Sequence, residues 1–204
     1  MTESLKGISG SMFAGKTELL LKEISRAEYG GKQVQVFKPA IDDRWGTISS
    51  IKSHSNGVHE AIVIQNSVDI LDNLDPKTQL VAIEEIQFFD PEIVDVVQAL
   101  LEADIRVVFA GLSQDFRGEP FGSMPELLSL CDEIEKPTAI CTENIDGIPC
   151  GQPATKTQRI VNGQPANYND PIVLIGAEQE YQARCVKHHK VPGKPNPKLK
   201  AHSK

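Results

Sequence analysis

Eight residues near the start of the chain, Gly10-Ser11-Met12-Phe13-Ala14-Gly15-Lys16-Thr17, have the types and spacing that phosphate chemistry needs. They match G-x-x-x-x-G-K-[ST], in which the glycines let successive backbone N–H groups curl around phosphate oxygens and the helix that follows adds partial positive charge. In that pattern Lys16 reaches the β and γ phosphates of a nucleoside triphosphate, and the Thr17 hydroxyl ligates Mg²⁺. A second acid must organise the metal, normally at the end of a neighbouring apolar strand. Leu80-Val-Ala-Ile-Glu84-Glu85 offers two carboxylates there. One can hold Mg²⁺ through water while the other takes a proton from an attacking hydroxyl. Read without Lys16, the same pair is a solvated strand terminus. Further on, Cys185-x-x-His188 has the spacing of two zinc ligands on one tight turn.

The elements that must position these groups follow from hydrophobic patterning. Leu5 to Ile8 reads as a short strand running into the glycine-bearing loop, and Leu20, Ile24 and Ala27 recur at helical spacing until Gly30-Gly31 offers a stop. Val34 and Val36 alternate with polar residues, Pro39 to Gly57 reads as a long loop or exposed ribbon, and Ala61 to Ile64 and Leu80 to Ile83 are two further strands. Asp90-Pro91-Glu92 is expected to start a helix with Asp90 as its cap, carrying Ile93, Val96, Val97, Leu100 and Leu101 on one face. Ile105 to Ala110 is almost wholly apolar, as in a strand covered on both sides. This alternation implies an α/β fold: a mostly parallel sheet of the P-loop NTPase type with helices on both faces. Near Pro137 the composition changes to cysteines, adjacent histidines, short Ile/Val runs and turn formers. A small β-rich, zinc-binding domain, too poor in apolar residues to fold unaided, is expected there. The expected division is 1–137 for the ATP-binding and catalytic domain, 138–190 for the metal domain, and 191–204 for a disordered basic tail.

A chain of 204 residues with 40% hydrophobic side chains can bury a core without disulfides. The four cysteines therefore read as thiols or metal ligands. The formal charge is -7, and six of the 21 basic side chains lie beyond residue 186 where no acid occurs, leaving 15 against 28 acids, or -13, in the body. Such a balance argues against nucleic acid as the main partner. No apolar run approaches the roughly 18 residues that span a bilayer, and Met1-Thr-Glu-Ser-Leu-Lys lacks the basic-then-apolar order of a secretion signal. No membrane partner and a cytoplasmic location are expected.

Taken together, the motifs resemble the thymidine kinase family of the bacterial and cytosolic type. The resemblance is carried by Gly10 to Thr17, Asp42-Asp43-Arg44, Ser53-His54, Glu84-Glu85-Ile86-Gln87-Phe88-Phe89, Asp115 to Gly122, Thr155 to Arg159, and Ile172 to Tyr181 followed by Cys185 and His188, in family order over nearly the whole chain. It implies transfer of the ATP γ-phosphoryl group to the 5′-hydroxyl of thymidine, giving dTMP and ADP in deoxynucleoside salvage, by a homotetramer. It makes Glu85 the general base and Arg44 the guanidinium that offsets charge on the transferring group. Glu84, where the family usually has Asp, is the acid near Mg²⁺, with Asp42 and Gln87 organising the same site. Met12, Leu112, Phe116 and Phe121 would wall the base pocket, and Thr157 would help recognise the base. Ile172, Val173, Leu174, Ile175 and Gly176, with Tyr181, match the substrate-covering loop. Phe88 and Phe89 read as core.

The resemblance also completes the zinc set. The family usually has a C-x-x-C-G knuckle, whereas here Cys150-Gly151 follows an apparent insertion. Ala139-Ile140-Cys141 matches the approach to the family's first ligand, which implies Cys141, Cys150, Cys185 and His188. His189 is the rival to His188, and Cys131 reads as core. Two other readings stand beside the kinase: a P-loop ATPase or other nucleoside or nucleotide kinase, and a zinc-ribbon nucleic-acid module. The acidic body disfavours the latter.

Overall fold

In the computed structural model the structure describes residues 4–40, 50–52, 58–172 and 179–195. The central sheet contains β1 (Leu5–Ser9), β2 (Val34–Pro39), β5 (Ile62–Ile64), β6 (Leu80–Ile83), β7 (Arg106–Gly111) and β8 (Glu133–Glu135) in the order β5-β2-β6-β7-β1-β8. Every pairing in it is parallel, with registers such as Leu5↔Val107, Ala82↔Val108 and Val36↔Ala82. Most of the stretch expected as a loop or exposed ribbon, Pro39 to Gly57, lies outside the described residues; within it β3 (Ser50–Lys52) pairs antiparallel with β4 (Val58–Glu60), which follows it, and Ile51 is buried.

Because side chains alternate across a strand, each central strand feeds two cores. Val81, Ile83, Val107 and Phe109 point to one face and pack with Ile70 of α2 (Asp69–Asp72), Ile93, Val96, Val97 and Leu100 of α3 (Ile93–Glu102), and Met124 and Leu127 of α4 (Met124–Leu130). Leu80, Ala82, Val108 and Ala110 point to the other and meet Leu20, Ile24 and Ala27 of α1 (Lys16–Tyr29). The sheet thus has helices on both faces. α1 ends as its sequence signals: Gly31, at φ +75°, donates to the Glu28 carbonyl while Lys32 donates to that of Ala27, the paired bonds of a Schellman stop.

Two expectations are corrected. Asp90 does not cap α3. Its carboxylate accepts from the backbone N–H of Ser67 at 2.8 Å and from the Ser67 hydroxyl, pinning the start of α2, and the helix begins after one turn over Pro91-Glu92. The acid-bearing strand β6 is also not the neighbour of β1, since β7 lies between them.

Beyond Pro137 the chain forms small antiparallel units. They are β9 (Ala139–Ile140) with β12 (Pro153–Ala154), the hairpin of β10 (Asn144–Ile145) and β11 (Ile148–Pro149), and the sheet of β14 (Gln164–Pro165), β13 (Lys156–Val161) and β15 (Gln179–Arg184). Their shared core is thin: Ala139, Cys141, Ala154, Ala183 and Cys185, with Cys150 at its margin and Ala14 of the phosphate loop packed into it. The insertion between Cys141 and Cys150 is the β10–β11 hairpin, turned by Asp146 and Gly147 at φ +51° and +86°, as in a type I′ turn. The tail expected to be disordered is not so at its start. Pro192 accepts from Tyr168 N–H at 2.8 Å, and Lys194 Nζ reaches the Arg117 carbonyl at 2.5 Å and Glu119 at 2.8 Å. Residues 196–204 lie outside the described residues.

Candidate active site

The phosphate loop joins the end of β1 to α1. Gly15, at φ +80°, turns the chain into the helix, and Phe13, at φ +65°, leaves its ring half exposed. Lys16 is buried, and its ammonium donates to the Ser11 carbonyl across the loop at 2.9 Å. Desolvation lowers its pKa despite the nearby Glu85 and Glu84 carboxylates.

Thr17 Oγ1 donates to Glu84 Oε1 at 2.6 Å, so the first residues of α1 reach the end of β6 over the top of β7. The additional methylene of Glu84, relative to Asp, is taken up in this span. Its other oxygen, Oε2, is buried with no hydrogen-bond partner among the described residues. Burial, reinforced by Glu85, pushes the Glu84 carboxyl up to about 8. A hydroxyl beside a carboxylate with one oxygen unsatisfied is a donor set that fits a hydrated Mg²⁺, whose charge would restore the ionised form.

Glu85 adopts φ +51°, ψ +40°, a left-handed conformation that costs a non-glycine residue on the order of 1 kcal/mol. The turn swings it off the strand direction into a 3₁₀ turn, Ile86–Phe88. Gln87 holds it: its Nε2 donates to the Glu85 carboxylate while its Oε1 accepts from Leu112 N–H at 3.0 Å. Gln87 is buried between two glycines. A Cβ at Gly111 would lie 2.6 Å from Gln87 Oε1, and one at Gly122, which has φ +50°, would lie 2.4 Å from the Gln87 carbonyl. Sequence reading assigned neither glycine a role, because only the fold brings them together around residue 87.

Hydrogen bonds link the phosphate loop to the second part of the chain. Met12 N–H donates to Thr157 Oγ1 at 3.0 Å, and Ser11 Oγ donates to the Ala154 carbonyl at 3.0 Å, tying the phosphate loop to β12 and β13. Leu112 and Phe116 are buried, whereas Phe121 is half-buried and meets Phe88 edge to face at 5.1 Å between centroids. Phe89 is core, as expected. Phe116 lies against the guanidinium of Arg159, a residue with no role assigned by sequence reading beyond its motif. Ile172 is partly exposed, and its carbonyl accepts from Arg159. Tyr181 stands opposite Arg159 in the β13–β15 register. Asp42, Arg44, Val173, Leu174, Ile175 and Gly176 lie outside the described residues.

The sulfur and nitrogen atoms of Cys141, Cys150, Cys185 and His188 all lie within 4.8 Å of one another. His188 Nδ1 is 3.4 Å from Cys185 Sγ and 3.7 Å from Cys141 Sγ. Tetrahedral Zn²⁺, with bonds of about 2.3 Å to sulfur and about 2.0 Å to nitrogen, sets S···N separations of about 3.5 Å. The cluster is compatible with a structural zinc. Burial opposes a Cys141 thiolate, but backbone hydrogen bonds at Cys185 and Glu143, with His188, outweigh it and bring the thiol down to about 6. His189 is not in the cluster; its Nε2 donates to the Phe116 carbonyl at 2.9 Å. Cys131 is also apart, packed by Gly7 under β1.

No helix among the described residues is long and apolar enough to cross a membrane. Among solved structures, the ATPase DotB of Legionella pneumophila is similar at a TM-score of 0.37 and 16% identity, over 63% of this chain and 34% of that one. The chain thus spans about a third of DotB. The family model described as thymidine kinase matches residues 3–189, nearly the whole chain and both the phosphate loop and the Cys/His cluster. The chain belongs to the thymidine kinase family.

Proposed function

We propose that the protein transfers the γ-phosphoryl group of ATP to the 5′-hydroxyl of thymidine, yielding dTMP and ADP. The observation that carries this reading is the relay Thr17–Glu84, Glu85–Gln87, Gln87–Leu112, which starts at the phosphate loop and ends at a wall of the candidate base pocket. In it Glu84 accepts from Thr17 of the loop, and the strained Glu85 is bound by Gln87, which also accepts from Leu112 N–H. Residues 10–17 bind the triphosphate, and Thr17 and Glu84 hold Mg²⁺, which supplies neutralisation of phosphate charge. Glu85 accepts the 5′-hydroxyl proton as the oxygen attacks the γ phosphorus and the bond to the β–γ bridging oxygen breaks, the leaving electron pair going to ADP. Arg44 offsets charge on the transferring group.

Met12, Leu112, Phe116, Phe121 and Thr157 line the nucleoside site, with Ile172 to Gly176 and Tyr181 covering it. Zinc on Cys141, Cys150, Cys185 and His188 does no chemistry; it fixes the base of that cover. The same reading divides the chain near Pro137, with Val191 to Pro195 joined to both units, through Tyr168 on one side and Arg117 and Glu119 on the other. Incubation with ATP, Mg²⁺ and each common nucleoside in turn, with 5′-monophosphate as readout, tests it. Product with thymidine first in rate is expected. Equal ADP release with and without nucleoside would sink the kinase reading in favour of an ATPase.

A further inference from the structure

We infer that Arg159 is a positioning residue for the nucleoside site, holding the Phe116 wall and the Pro171-Ile172 entry to the covering segment in one arrangement through a single buried cation. The inference rests on the proposed kinase function and names a residue to which that proposal gives no part. Arg159 is completely buried on β13, among the largest fully buried side chains of the chain. A charge so placed is retained at a desolvation cost, so the groups around it matter. Its Cζ lies 3.7 Å from the centroid of the Phe116 ring, close enough for the guanidinium plane to fix the ring's position. Its Nη1 donates to the carbonyls of Pro171 at 2.6 Å and Ile172 at 3.1 Å, the point at which the chain enters the candidate covering loop. Tyr181, at the loop's other end, is its partner across the β13–β15 pairing.

The Phe116 loop is fixed from outside as well, by His189 at the Phe116 carbonyl and Lys194 at the Arg117 carbonyl. Only Arg159 touches both that loop and the entry to the cover among the described contacts of these residues. Its Nε and Nη2 have no hydrogen-bond partner among the described residues, the nearest acid being Asp170 at 3.9 Å from Nη2. Satisfying the fold alone does not require a fork with donors left over; an apolar side chain would fill the same space at less desolvation cost. A planar, five-donor cation that stacks and binds two carbonyls at once is suited to join two separate segments.

The test compares wild type, Arg159→Met and Arg159→Lys in steady-state kinetics with thymidine and ATP, alongside zinc content and amide hydrogen exchange without nucleoside. Arg159→Met should raise KM for thymidine by about tenfold or more while KM for ATP stays within about twofold. Arg159→Lys, which keeps the charge but not the fork, should fall between. Exchange at residues 115–118 and at Ile172 should quicken by about tenfold in Arg159→Met, with zinc retained. A folded Arg159→Met with thymidine KM within about twofold of wild type overturns the inference. So does an equal rise for both substrates. If Arg159→Met does not fold, an Arg159→Lys with unchanged thymidine KM overturns it equally. Wild type that phosphorylates no nucleoside removes the kinase reading, and the exchange comparison then decides alone: unchanged exchange at both segments refutes the positioning role.

Discussion

Replacing Glu84 by Gln should make the protein more stable at neutral pH and less stable in mild acid, while removing its capacity for phosphoryl transfer. The Glu84 carboxyl is raised from 4.5 to about 8, chiefly by burial and then by Glu85. Between those values the unfolded chain is ionised and the folded one holds a proton, so without Mg²⁺ stability falls as pH rises, by about 1.4 kcal/mol per unit. Integrated, the penalty is about 3 kcal/mol at pH 7 and about 4 kcal/mol at pH 8, and it vanishes below about pH 4.5. Glu84→Gln keeps the shape and the acceptor for Thr17 but leaves an unpaired amide where Oε2 was, costing about 1 kcal/mol at every pH. The difference between variant and wild type should therefore change sign, from about 1 kcal/mol destabilising near pH 4.5 to about 2 kcal/mol stabilising at pH 7. Urea unfolding in Mg²⁺-free buffer across that range measures it. Parallel stability profiles would show that Glu84 is ionised in the resting site and that its burial is not the dominant influence. A loss of turnover beside a gain in stability is what a residue kept for metal binding should show.

Glu85→Gln should lower kcat by about a thousandfold with ATP binding retained, and a fluorescent ATP analogue titrated alongside turnover checks both; near-normal turnover would make another group the base. Cys150→Ser should lose zinc, seen by metal analysis, and weaken thymidine binding; undiminished zinc would move the metal elsewhere. Gly122→Ala should destabilise by about 2 kcal/mol or more, because a Cβ lies 2.4 Å from the Gln87 carbonyl at φ +50°. A thermal midpoint equal to wild type would show that the 85–87 turn shifts freely.

What the sequence made legible was whatever is encoded locally. The phosphate loop is a contiguous pattern whose spacing is its mechanism, and the apolar runs of β6 and β7 declare strands covered on both faces. Cys185 and His188 share one turn, so their pairing was readable, whereas Cys141 and Cys150 needed the family resemblance because a hairpin separates them. That hairpin carries its own signal in Asp146-Gly147, the pair that turns it. Asp90 carries a cap signature, yet Ser67 offers two donors from a distant segment and wins the carboxylate. Arg159 looks like any strand arginine until Phe116, Pro171 and Ile172 surround it. The placement of β7 between β1 and β6 likewise depends on the whole sheet and leaves no local trace.

That strand order bears on how the chain is made. Among the described residues β1 pairs only with β7 and β8, which lie far downstream and begin at Arg106 and Glu133. During synthesis β1 has neither partner until β7 is made, and its second partner begins 27 residues after the first, at Glu133 against Arg106. A nascent or truncated chain ending at Glu102 leaves both edges of Leu5–Ser9 unpaired and the phosphate loop without a floor. The phosphate loop, contiguous in sequence, is thus completed only when strands far downstream of it have been made.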